Sequence, residues 1–151
     1  MAIYLNNNVG IKLATAAAPT TPSINISAYV TAVTLTQVVD ELEVTAMGDT
    51  AHKFAAGLQA ATLTIDFLND WATSQVMATL SAAFGQTIAV SMITGATATP
   101  ATVSAQNPTY QFSILVNNLT PVGTGGVGDE ASSSMSFTIN TPVTVSPTVP
   151  F

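Results

Sequence analysis

The most restrictive feature of this sequence is a period of two. In ATLTIDF, Leu63, Ile65 and Phe67 fall on one side, while Thr62, Thr64 and Asp66 fall on the other. TIAVSMI repeats the pattern with Ile88, Val90 and Met92, TYQFSILV with Tyr110, Phe112, Ile114 and Val116, and SMSFTIN with Met135, Phe137 and Ile139. Earlier, Val33 and Leu35 alternate with Thr34 and Thr36, and Leu42 and Val44 alternate with Glu41, Glu43 and Thr45. An extended backbone sends successive side chains to opposite faces, so each segment reads as a half-buried strand. Their β-branched and aromatic content favours the same assignment. Glu41 and Glu43 then share one strand face.

One segment departs from the period. NDWATSQVMATLSAAFG carries Trp71, Val76, Met77, Leu80, Ala83 and Phe84 at helical spacing. Asn69 or Asp70 is placed to cap its start, with the Asp70 carboxylate near the positive end of the dipole. Gly85 sits where a left-handed terminating residue belongs. Trp71 is expected in the core or at a helix edge buried by an interface. Residues 14–23 and 93–108 are rich in Thr, Ala and Pro without periodicity and read as loops. The tail TPVTVSPTVPF, with Pro142, Pro147 and Pro150, cannot be a central strand throughout and reads as an extended arm. The expected fold is a single domain over residues 1–151, all-β with one flanking α-helix. Its strands are expected in two packed antiparallel sheets, a sandwich or barrel with long loops and extended terminal arms, over about residues 1–23 and 141–151.

Composition narrows what such a domain can do. Charged residues make up 7% of the 151, against about 25% in an ordinary soluble domain. A surface built instead from Thr, Ser, Asn, Gln and Ala suits a chain that its neighbours largely cover, so obligate assembly is expected. The net charge is −6, with eight acidic residues against two lysines. Gripping nucleic acid or an anionic membrane needs a cluster of cations that this chain does not carry. There is no cysteine, which excludes disulfides and thiolate metal sites. No segment approaches the roughly 18 consecutive apolar residues of a membrane-spanning helix, and the N-terminus MAIYLNNNVGIK does not have the pattern of a signal peptide.

Catalytic patterns are weak. His52 is the single histidine, so any triad must pass through it, with Asp49 three residues before. No Gly-x-Ser-x-Gly elbow accompanies it. One His among scattered carboxylates gives neither zinc nor EF-hand spacing, and no cofactor is expected. Asp40, Glu41 and Glu43 lack the flanked cleft that a glycosidase requires. GTGGVG, Gly123–Gly128, matches GxGxxG formally. No helical pattern follows it, and Asp129 and Glu130 stand where phosphate would sit, so it reads as a flexible turn.

The order of the segments carries more information. A strand with an acidic face runs into VTAMGD, then a glycine, then the alternating ATLTID. A helix follows, then TIAVSMI, then an Asn-Pro before the alternating strand TYQFSILV, and a late VGD before SMSFTIN. Over about residues 30–140 this succession resembles the tail tube (major tail) proteins of long-tailed bacteriophages. The resemblance implies two packed antiparallel sheets with one helix, and assembly into rings, typically of six subunits in that family, stacked into a tube that conducts genome DNA during ejection. It further implies that the loop of Met47, Gly48, Asp49, Thr50, His52, Lys53 and Phe54 bridges subunits or stacked rings. Glu41 and Glu43 are then candidates for the lumen wall. Expected partners are copies of the chain itself and other tail proteins at the tube ends, with DNA passing unbound. The expected location is the virion tail, assembled in the host cytoplasm. The competing readings are a capsid decoration or other virion surface protein, and a non-catalytic β-sandwich binding module. A binding module would display clustered aromatics, whereas most aromatics here fall on predicted core faces.

Overall fold

The alternating segments become antiparallel strands in a computed structural model that describes residues 9–96, 102–122 and 128–151. Along the chain run β1 (Gly10–Thr15), β2 (Ala18–Asn25), β3 (Val30–Glu43), β4 (Phe54–Leu68), α1 (Val76–Ala82), β5 (Thr87–Ile93), β6 (Thr109–Leu115), β7 (Ser132–Ile139) and β8 (Thr144–Ser146). The strands are ordered β2-β1-β5-β6-β7-β4-β3, with β8 set against β6. The all-β class with one helix therefore holds, but the two expected sheets are joined into one hydrogen-bonded sheet. The seam is narrow: β6 meets β7 only at Ile114↔Ile139 and Leu115↔Thr138. The sheet curls so that Val33, Leu35 and Gln37 of β3 face Met92, Ile93 and Tyr110 across a cavity. Alternation reveals which side of a strand is apolar, but not whether two layers share a seam.

The expected inward residues fill one core. Leu63, Ile65, Phe67, Ile88, Ile114 and Phe137 are fully buried, with Val90, Phe112 and Met135 close behind. Each large side chain removed from water contributes about 1.5–3 kcal/mol. The α1 residues Val76, Met77 and Leu80, followed by Ala83, complete this cluster.

Three local expectations are corrected. Residues 10–23, expected in an arm or loop, form β1 and most of β2, and Ile11 and Leu13 of β1 are fully buried between β2 and β5. β2 tolerates Pro19 and Pro22 because it is an edge strand, where a missing N–H donor costs no ladder bond. Residues 1–8 of the predicted arm lie outside the described residues, as do 97–101 of the second loop and Gly123–Val127 of the glycine turn. The C-terminal arm is docked on its own chain. β8 pairs with Thr109–Gln111, and the Lys12 ammonium lies 4.6 Å from the centre of the Phe151 ring.

The helix is the third correction. It begins at Gln75 rather than at Asn69 or Asp70. Asp70 Oδ1 accepts the Ala72 N–H at 2.8 Å, holding a turn that competes with helix entry. Trp71 is consequently exposed, at 53%, and Phe84, just past the other end of the helix, is 56% exposed. Gly85 takes the expected left-handed conformation, φ +80°, and donates its N–H to the Val116 carbonyl at 2.8 Å.

Candidate assembly surface

β3 and β4 pair along almost their full lengths, from Val30↔Phe67 to Glu43↔Phe54. β7 accompanies β4 only from Leu68 back to Thr62. Beyond Thr62 the hairpin continues as a two-stranded ribbon, and past the buried Ala61 neither face is covered. Val38, Val39, Leu42, Val44, Phe54 and Leu58 are all between 47% and 81% exposed there. The half-buried strand expected at 41–45 is thus open on both sides. Alternation describes the strand correctly, but its own chain supplies no layer to bury it. Partway along, Gly57 and Leu58 together oppose Asp40, a bulge. A Cβ on Gly57 would stand 3.0 Å from both the Cβ and the carbonyl oxygen of Asp40, so close backbone approach accounts for the glycine.

At the tip, Val44 N–H donates to the Lys53 carbonyl at 2.8 Å, and Asp49 N–H to the Ala46 carbonyl at 3.0 Å. Gly48, at φ +103°, occupies the third position of this four-residue turn, as a type II turn requires. Asp49 holds the turn twice. Its Oδ2 accepts the Ala46 N–H at 2.9 Å, and its Oδ1 is paired with the Lys53 ammonium. On the adjoining face, Glu43 Oε1 meets His52 Nδ1 at 2.6 Å and accepts the Thr45 hydroxyl at 2.9 Å. Thr45 Oγ1 in turn accepts the Lys53 N–H at 3.0 Å, and the His52 ring stacks on Phe54 at 6.4 Å. The His52 bond, then that of Thr45, holds the Glu43 carboxyl below its ordinary value. The Lys53 bond, then the Ala46 amide, does the same for Asp49.

The structure therefore gathers Met47, Gly48, Asp49, Thr50, His52, Lys53 and Phe54 into one tip, and adds Glu43. Glu41 shares the Glu43 side of the strand through its pairing with Ala56. His52 takes Glu43, not Asp49, as its carboxylate, a cross-hairpin pair that sequence spacing alone does not show. The hydroxyl bonded into this cluster, Thr45 Oγ1, donates to the carboxylate rather than to the imidazole, so no nucleophile–base contact forms here. Among the described residues, no three His, Cys, Asp or Glu side chains converge as a metal site. Among them, too, no helix is long and apolar enough to cross a membrane.

A second surface escaped the sequence reading. Trp71, in the turn before α1, lines a groove of about 320 Å³ with Ala16, Ile24, Thr73, Ala78 and Ala82, and among the described residues none that borders it is charged. The adjacent apolar pair Val38 and Val39, which breaks the period of two, was the legible sign of the open ribbon. The groove had no such sign, because it forms between segments distant in sequence.

No family model and no curated protein matches the chain. Solved structures do. A chain from the virion of a native gene transfer agent particle is similar with a TM-score of 0.67 and 14% identity, over 95% of this chain and 99% of that one. A chain from the tail of an empty gene transfer agent particle, determined with C6 symmetry, is similar with a TM-score of 0.67, 15% identity and the same coverage. The protein thus has the fold of a chain from such a particle's tail, and the resemblance to tail tube proteins is met at the level of fold.

Proposed function

We propose that this chain is a structural, non-enzymatic subunit of a virion tail that assembles with copies of itself into stacked rings, forming a tube that conducts DNA. The observation that carries this reading is the β3–β4 arm, an apolar ribbon that leaves the sheet with both faces open. An isolated two-stranded hairpin is marginal in water, and an exposed, unpaired apolar edge invites association. Head-to-tail contacts that close by rotation use such an edge without uncontrolled aggregation. The fold shared with a C6-symmetric tail and the 7% charge content support the same reading.

Its finer parts follow. Each ring contains six copies, with strands forming the inner wall. The tip from Met47 to Phe54 reaches an adjacent subunit or ring. Glu41 and Glu43 face the lumen, where negative charge lets a phosphate backbone slide. Other tail proteins cap the tube ends, and assembly takes place in the host cytoplasm. Negative-stain electron microscopy of concentrated protein tests the reading. Rings or hollow tubes with six-fold averages are expected, whereas a stable monomer or an isolated trimer would sink it. A reconstruction with both glutamates on the outer wall would overturn the lumen assignment alone.

A further inference from the structure

The loop tip is cross-bonded within itself, and it holds up one side chain that its own chain does not use. Met47 stands at the corner of the 46–49 turn, fully exposed. The bonds of Asp49 to Ala46 and Lys53, and of Glu43 to His52 and Thr45, fix the backbone on either side. The charges of Asp49 and Lys53 offset each other inside the loop. A preorganised apolar knob loses little freedom when it docks.

The Trp71 groove is its counterpart at the other pole. β4 leaves the tip at Phe54 and ends at Leu68, and Trp71 follows within the next turn. Its fifteen residues span about 45 Å at roughly 3.3 Å per residue. Knob and groove of one chain therefore cannot meet, but those of two copies aligned head to tail can. The described residues that line the groove carry no charge, and one of them presents an exposed indole. Its volume, about 320 Å³, suits one or two large side chains rather than a strand. A thioether is flexible and favours aromatic surfaces. We infer that Met47 of one copy seats in the Trp71 groove of a second copy, making the contact that links successive rings. This contact rests on the tube reading and names the receptor surface within it.

The absence of cysteine makes the test clean. Met47→Cys and Thr73→Cys are prepared separately, mixed in equal amounts, assembled and oxidised. A disulfide-linked dimer is expected in the mixture and in neither variant alone. Met47→Asp should leave rings intact and cut the tube-forming fraction about tenfold, since a carboxylate would be desolvated without a partner. Met47→Leu should restore tubes. Tubes in the mixture without the linked dimer, or full-length tubes from Met47→Asp, overturn the contact and leave the tube reading standing. Wild-type protein that forms neither rings nor tubes removes both.

Discussion

At the scale of single residues, the rare charges of this chain act as fasteners. Asp49 bonds Ala46 N–H and Lys53, and Glu43 bonds His52 and Thr45. Both carboxyls are held below their ordinary values of 3.8 and 4.5. A depressed folded value means that the carboxylate favours the ordered loop. That ordering is complete above the ordinary values and is lost as pH falls through the depressed ones. The Ala46 and Asp49 amides should therefore lose exchange protection progressively as pH falls below those ordinary values, while core amides such as that of Ile65 keep theirs. Hydrogen exchange read residue by residue checks this. Unchanged tip amides across that fall would show that the carboxylates do not hold the turn. Gly48→Val should loosen the same amides at neutral pH, because φ +103° strains a β-branched residue.

At the scale of elements, the hairpin divides into a covered base and an open arm. Leu63, Ile65 and Phe67 face the core, but Gln59 to Phe54 pair with β3 alone. Disturbing the two halves should have different reach. Phe137→Ala removes a fully buried ring and should cost about 3–5 kcal/mol of global stability, seen as a lower unfolding midpoint. Gly57→Val crowds the Asp40 carbonyl and should deprotect only the arm amides, leaving the midpoint nearly unchanged. A large midpoint shift from Gly57→Val would show that arm and base unfold together. The same division explains what the sequence disclosed. Strands with one covered face, β4 through β7, advertise themselves by alternation. β1 does not, because Ile11, Leu13 and the neighbouring Ala14 are all buried, and β2 hides behind its prolines. Helix entry was misplaced because Asp70 forms a turn of its own. The tip was legible as a cluster of unusual residues. Its pairing was not, since Glu43 and His52 meet only across the hairpin.

At the scale of the whole molecule, charge decides whether the protein can hold nucleic acid. The chain carries two Lys or Arg residues against eight acids, and both cations are engaged. Lys12 lies over the Phe151 ring, and Lys53 is paired with Asp49. Retaining DNA requires several cations that release counterions from phosphates, and each adds about 0.9 to the slope of affinity against salt. With two lysines in all, and Lys53 already paired with a carboxylate, assembled protein should not retain duplex DNA even at about 50 mM salt, where non-specific binding is strongest. If the proposed assembly rests on the apolar arm, it should survive rising salt while surface ion pairs are screened. Filter binding of labelled duplex, run beside sedimentation of the assemblies across a salt series, reads both effects. DNA held at low salt and released at high salt would contradict a conduit through which DNA passes unbound. Assemblies that dissolve as salt rises would place the contacts in ion pairs rather than in the exposed Val, Leu and Met side chains of the arm.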